Sequence, residues 1–235
     1  MLPDSEPASQ HSARAADGSA VTLLGAGPSD PKVLSIALTR APRLVAVDGG
    51  ADVARARRLR PERVVGDLDS ISAAARAAFA DRMEHVAEQD TTDLQKALRT
   101  TGARVLLGVG FLGGRFDHAL AALSALAGEA RPVVLLSAED CVCLAPPALS
   151  LEVPPGTRVS LWPLGPAAGT SEGLRWPLDG LTLRPEGPVG TSNAATGPVR
   201  LRLEGGPVAL LLPLEALDAL LAGLGHPLPL GPARG

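Results

Sequence analysis

The sequence predicts an α/β protein in which a parallel-sheet N-terminal catalytic domain is followed by a smaller C-terminal antiparallel β-sandwich domain. Two observations carry that expectation. Up to Leu136, short apolar runs alternate with stretches of helical spacing, the signature of a parallel sheet covered on both faces. Beyond Pro146-Pro147 the runs are punctuated by Gly and Pro, and little room is left between them for helices. The expected division is a flexible tail over 1–19, an α/β catalytic domain over 20–145, and a β-sandwich domain over 146–235 with a short C-terminal helix.

Taken in order, Val21 to Leu24 reads as the first strand, stopped by Gly25-Ala26-Gly27-Pro28. Lys32 to Thr39 has helical spacing. Leu44 to Val47 is a second buried strand, ending in Asp48-Gly49-Gly50-Ala51-Asp52. An acid and two glycines there suit a ligand crevice, because open α/β sheets bind ligands beyond the carboxyl ends of their strands. Ala51 to Leu59 continues as a helix that Pro61 closes. Arg63 to Gly66 leads into Asp67-Leu68-Asp69-Ser70, and Ser72 to Glu84 is Ala-rich and reads as helix. Asp90 is the expected cap of the next helix, with Asp93 three residues on, as in a capping box. Arg104 to Leu107 is another strand, followed by the glycines of 108–114, by Arg115-Phe116-Asp117-His118, and by a helix over Ala119 to Ala127. Val133 to Leu136 completes the alternation. In the second half, Leu149 to Val153, Thr157 to Trp162, Gly173 to Pro177, Leu181 to Arg184, Val199 to Glu204 and Val208 to Leu212 read as strands, and Leu214 to Leu224 as a helix.

Composition excludes several classes. A chain of 235 residues, 46% hydrophobic and 20% charged, has the material for a buried core. Its formal net charge of -3 gives no basic footprint for nucleic acid, and with three Phe, two Trp and no Tyr it has little with which to stack single strands. No apolar run reaches the roughly 18 residues of a membrane span, and the polar N-terminus has no apolar signal core, so a soluble, cytoplasmic protein is expected. Cys141 and Cys143 are too few for a zinc site and read as reduced, semi-buried thiols.

The chemistry-bearing residues are acids. In extended chain Asp67 and Asp69 point the same way, so two hard oxygen ligands could face one Mg²⁺. Asp93 and Lys96, three apart on a helix, share a face on which one could bind metal and the other phosphate. Asp48, Asp67, Asp69 and Asp93 each fall at a strand end or helix start, which in a parallel sheet is one rim, and acids so crowded call for a cation. Lys96 and Arg115 supply positive charge for a polyphosphate. The inventory suits metal-assisted phosphoryl or pyrophosphoryl transfer. A competing signal is Gly108-x-Gly110-x-x-Gly113 between a strand and a helix, the literal dinucleotide fingerprint, with Glu139 and Asp140 closing the next strand; it would make the protein a dehydrogenase. A non-catalytic nucleotide sensor would be marked by lost acids, and all of them are present.

Asp48-Gly49-Gly50-Ala51, Gly66-Asp67-Leu68-Asp69-Ser70, Asp90-x-Thr92-Asp93 with Lys96-Ala97-Leu98, Gly113-Gly114-Arg115-Phe116-Asp117-His118 and Thr191-Ser192-Asn193 occur in this order. In this the chain resembles the thiamine pyrophosphokinases, over roughly 21–212. The resemblance implies a homodimer with thiamine bound between the subunits, and Mg²⁺-dependent transfer of a pyrophosphoryl group from ATP to the hydroxyethyl oxygen of thiamine, releasing AMP. It implies that Asp67, Asp69 and an acid of the Asp90/Asp93 pair hold Mg²⁺ and that Arg115 steadies the phosphates. Asp48, Gly49, Gly50, Thr92, Lys96, Asp117 and His118 would line the nucleotide crevice, and Ser192 and Asn193 would touch thiamine. The resemblance departs in one place: animal members carry a late-strand Trp that can stack on thiamine, where this chain has Pro207-Val208-Ala209-Leu210-Leu211.

Overall fold

The structure, a computed structural model, describes residues 20–88 and 90–226; the expected tail over 1–19 lies outside them. Six parallel strands form its first half: β1 (Ala20–Leu24), β2 (Arg43–Val47), β3 (Arg63–Gly66), β4 (Met83–His85), β5 (Val105–Val109) and β6 (Val133–Leu136). They lie in the order β6-β5-β1-β2-β3-β4. Their apolar runs are near-continuous because both faces are covered. Leu24, Ala46, Val64 and Leu107 pack under helices α1 (Pro31–Arg40), α2 (Gly50–Ala56) and α3 (Ala73–Ala78), through Val33, Ala51 and Ala75 among others. The alternate residues Leu23, Val45, Val65 and Leu106 pack under α4 (Asp93–Thr100) and α5 (Phe116–Ala127), through Leu94, Leu98, Ala122 and Leu126. The chain steps outward from β1 to β4 and then returns to β5 on the other side of β1, so the strand order reverses between β1 and β5. Ligand crevices open at such a point.

The helix expected over Ser72 to Glu84 is three pieces. Ser72 caps α3, which ends at Ala78 where buried Phe79 anchors the chain; a single 3₁₀ turn follows at Ala80–Arg82, and Met83–His85 is strand β4. Three residues at a sheet edge carry too short a pattern to show a period of two.

Beyond β6 the ladder continues without a break. Strand β7 (Asp140–Leu144) runs antiparallel to β6 and holds Cys141 and Cys143, both buried. Burial pushes the Cys141 thiol up to about 12 and raises that of Cys143 as well, so neither is a thiolate at neutral pH. The second half adds β8 (Ala148–Leu151), β9 (Arg158–Pro163), β10 (Ala167–Leu174), β11 (Thr182–Leu183), β12 (Gly190–Gly205) and β13 (Val208–Pro213). All of their pairings are antiparallel, and β13 joins β7 to β9. The expected domain boundary at 145/146 falls in the connection between β7 and β8.

Strand β12 begins at Gly190 rather than Val199 and is 16 residues long. Its first part pairs with β9 and its last part with β8 and β10, so it belongs to two sheets. Gly190, Gly197 and Pro198 read as breaks in the sequence, whereas here they lie within a strand whose register shifts between Gly190 and Asn193. The helix expected over Leu214 to Leu224 is a 3₁₀ turn at Leu214–Ala216 followed by α6 (Leu217–Gly223). Among the described residues, no helix is long and apolar enough to cross a membrane.

Candidate active site

The site forms where β2, β3 and α4 converge. Directly after β2, Asp48 turns into left-handed backbone at φ 46°, and its carbonyl accepts the Ala51 N–H that opens α2. The turn is tight against β1: a Cβ on Gly50 would lie 1.8 Å from the Leu24 carbonyl oxygen, so only glycine fits. After β3, Asp67 is followed by Leu68 at φ 66°, whose carbonyl is held by the Arg76 guanidinium from α3. The extended geometry expected for Asp67 and Asp69 is therefore replaced by a turn. Asp67 faces Asp48, while Asp69 is exposed and donates its backbone N–H to Asp67 Oδ1 at 3.3 Å.

Helix α4 is capped by Thr92, not by Asp90. Thr92 Oγ1 accepts the Gln95 N–H at 3.3 Å and Gln95 Oε1 accepts the Thr92 N–H at 3.0 Å, a reciprocal capping box. Asp90 stands exposed two residues earlier, and Asp93 opens the helix. One oxygen each from Asp48, Asp67 and Asp93 lie within 4.8 Å of one another. Into this trio reaches Lys96, only 2% exposed, with Nζ 3.0 Å from both Asp67 Oδ2 and Asp93 Oδ1.

The three acids differ in charge preference. The Lys96 hydrogen bond holds the Asp67 carboxyl below the usual carboxylate range. Burial pulls Lys96 down, but the hydrogen bonds its ammonium donates to Asp67 and Asp93 outweigh it and leave the charged form favoured. Burial raises Asp48, with the Asp93 and Asp67 charges adding, against the opposing hydrogen bonds from Ser70 and the Gly49 N–H. The Ser70 hydroxyl donates to Asp48 Oδ2, whereas Oδ1 is buried with no hydrogen-bond partner among the described residues. One ammonium against three carboxylates leaves negative charge in excess, and the donors are all hard oxygens. The residues fit a divalent cation such as Mg²⁺.

Across the switch point, Gly27 donates its N–H to the Gly110 carbonyl at 3.0 Å, so the loops after β1 and β5 lie against each other. Arg115 caps α5 from the second of these loops, exposed and paired with Asp117 at 2.6 Å; His118 is exposed in the first turn. Gly113 sits in this loop at φ 84°, three residues before the helix. In a dinucleotide fingerprint the third glycine packs helix against strand, which Gly113 does not do. Its presence here is explained by backbone geometry instead.

Thr191-Ser192-Asn193 lies inside β12 rather than ahead of it. Ser192 is exposed at φ 60°, with its N–H bonded to Ser160 Oγ at 3.0 Å. Asn193 is buried, and its amide is spent on the Trp176 backbone. Three residues that shape the site have no role assigned from the sequence: Ser70, which bonds Asp48; Arg76, which fixes the Leu68 turn; and Ser160, which orients Ser192. Ser70 stands inside the Gly66–Ser70 motif, but nothing in the spacing of the other two marks their partners.

The chain is similar to known proteins in sequence and in fold. A model of the thiamin pyrophosphokinase catalytic domain matches residues 35–134, and one of the thiamin pyrophosphokinase vitamin B1 binding domain matches residues 149–206. Thiamine pyrophosphokinase 1 of Oryza sativa subsp. japonica is 31% identical over 157 residues, 58% of this chain and 60% of the relative. Thiamine pyrophosphokinase 1 of Arabidopsis thaliana is 30% identical over 160 residues, 58% of this chain and 59% of the relative. The chain thus matches about 60% of the length of these curated relatives. Among solved structures, thiamin pyrophosphokinase from Geobacillus thermodenitrificans superposes with a TM-score of 0.70 at 24% identity, covering 83% of this chain and 97% of that one. Thiamin pyrophosphokinase from Candida albicans gives 0.70 at 16% identity, covering 83% and 90%. These superpositions establish the shared fold, and the two domain models fall in order on the parallel and antiparallel halves. By both its domains, the chain belongs to the thiamin pyrophosphokinase family.

Proposed function

We propose that the protein transfers a pyrophosphoryl group from ATP to the hydroxyethyl oxygen of thiamine, giving thiamine diphosphate and AMP. The observation that carries this reading is the Asp48, Asp67 and Asp93 trio around Lys96, set at the carboxyl edge of a parallel sheet in a chain of this family. Asp67 and Asp93 would hold Mg²⁺, with Asp69 and the free oxygen of Asp48 as the further candidate ligands. Bound there, the metal would neutralise polyphosphate charge, the main requirement of phosphoryl transfer.

The remaining roles fall to the chain's own side chains. Lys96 gives the phosphates a buried ammonium, and Arg115, oriented by Asp117, gives them an exposed guanidinium. Gly49 and Gly50 would line the crevice at the turn after β2, while Thr92 and His118 flank it at the starts of α4 and α5. Asp90 remains a candidate acid at the rim. Ser192 would meet thiamine. In the proposed assembly, a cytoplasmic homodimer places thiamine between subunits.

The test is to supply ATP, Mg²⁺ and thiamine and to follow AMP and thiamine diphosphate together. Equal amounts of both are expected, and Asp67→Asn should lower turnover on the order of a hundredfold with the fold intact. ADP with thiamine monophosphate, or full turnover by Asp67→Asn, would refute the reading.

A further inference from the structure

Asp67 is held at both of its carboxylate oxygens. Oδ2 accepts from Lys96 Nζ at 3.0 Å, and Oδ1 accepts from the Asp69 N–H at 3.3 Å. The second donor belongs to the peptide that joins Leu68 to Asp69, and a trans peptide sends its N–H and its C=O in opposite directions. Whatever fixes that carbonyl therefore aims the N–H at Asp67. The carbonyl is fixed by Arg76, whose Nη2 donates to it from α3.

The clamp has strain to oppose and a firm base to work from. Leu68 stands at φ 66°, a region that is costly for any residue with a Cβ, and its side chain is buried at 5% exposure. Released, the 68–69 peptide would relax toward ordinary backbone and carry its N–H away from Asp67. Arg76 stays in reach because α3 is tied down at its start. The Ser72 N–H donates to Asp52 Oδ2 at 2.9 Å and its hydroxyl to Asp52 Oδ1, while Ser72 Oγ accepts the Ala75 N–H at 3.1 Å. Ala75 and Phe79, both buried, anchor the same segment in the core.

Resting on the metal reading above, we infer that Arg76 is a positioning residue for the Mg²⁺ ligand Asp67, acting through the Leu68 peptide. An effect of its charge alone would have the opposite sign. Removing a nearby cation tightens a divalent metal on acids, whereas removing the clamp weakens it.

The test is thermal melting of the wild type and of Arg76→Met across a Mg²⁺ titration with no nucleotide, since a metal that binds the folded state raises Tm. Met keeps helix propensity and an apolar stem but has no donor. The Mg²⁺ concentration giving half of the rise should be about tenfold higher in Arg76→Met, the scale of one left-handed residue left unsupported. Arg76→Lys, which keeps a charged donor, should recover most of the difference. Adding Leu68→Gly should make the Arg76→Met change small, because glycine takes φ 66° with no Cβ to resist it. In turnover, the Mg²⁺ requirement should rise by the same factor, with kcat at saturating Mg²⁺ little changed. An unchanged or lower Mg²⁺ midpoint in Arg76→Met, an equal change with and without Leu68→Gly, or no Mg²⁺ response in the wild type would overturn the inference; thiamine diphosphate formed by the wild type would then leave the proposed reaction standing. Absence of that product, with the midpoint raised in Arg76→Met and the change small beside Leu68→Gly, would refute the reaction and leave Arg76 its role. Should Arg76→Met fail to fold by circular dichroism, Arg76→Ala takes its place with the same outcomes.

Discussion

At the scale of residues, the site is a problem in charge. Lys96 is nearly inaccessible, and its ammonium lies between two carboxylates at 3.0 Å, with a third acid beside them. A divalent cation entering this trio meets an ammonium already in place. Replacing Lys96 by Met removes that internal cation and leaves three carboxylates facing one another, an arrangement that repels unless a cation intervenes. Lys96→Met should therefore melt below the wild type in EDTA, by several degrees. It should regain more of its Tm than the wild type on addition of Mg²⁺, since a ligand that binds only the folded state stabilises it. Thermal melts of both proteins with and without the metal check this; equal Mg²⁺ responses would refute it. A single acid at a strand end is an ordinary turn residue; the acids were legible in the sequence because several of them recur at strand ends and helix starts that a parallel sheet places on one rim. What the sequence hid was their grouping. Asp69 follows a left-handed Leu68 and turns outward, and Asp48 takes the inner place because its own left-handed backbone folds it back over β3.

At the scale of elements, long parallel strands with apolar runs announced themselves, and every strand from β1 to β6 except β4 was expected within a residue or two. The elements that escaped lack an internal period. Strand β4 is three residues long, β7 is disguised by its cysteines and flanking acids, and β12 is interrupted by glycines and a proline that it absorbs by shifting register. Contacts between distant elements were equally invisible. Arg40 at the end of α1 grips Asp218 at the start of α6 through two hydrogen bonds of 2.6 and 2.7 Å, joining segments 178 residues apart. The Arg40 hydrogen bond lowers the Asp218 carboxyl below its usual range. A carboxylate whose pKa is lower in the folded state contributes stability above its unfolded pKa and loses it as pH falls through the folded one. Because the Asp218 side chain is 68% exposed, the contribution is small, about 0.5 kcal/mol. Asp218→Asn should show that deficit in urea melts at pH 7. The gap from wild type should close as pH falls below the normal Asp range; a gap constant with pH would assign the loss to packing instead.

At the scale of the whole molecule, the two halves of the proposed reaction lie on strands far apart in the ladder. The acids sit at the ends of β2 and β3 and at the start of α4, whereas Ser192, proposed to meet thiamine, is on β12. Seven strand-to-strand steps separate β12 from β2, on the order of 30 Å along the ladder at about 4.8 Å a step. If the sheet does not curl back on itself, a thiamine held beside Ser192 of β12 does not reach the acids of its own chain. In a two-fold dimer Ser192 of one subunit can instead face the acids of the other, so each site would draw on both chains. Mixing two defective proteins, Asp67→Asn and Ser192→Ala, distinguishes the arrangements at thiamine concentrations below the wild-type KM. If a site combines residues from both chains, a mixed dimer has one site with both lesions and one with neither. After random exchange of subunits, about a quarter of wild-type activity should return, since half of the dimers are mixed and each has one intact site. If each site is built within one chain, every site keeps one lesion and mixing restores nothing; that outcome would mean that the sheet curls far enough to bring its own two ends together.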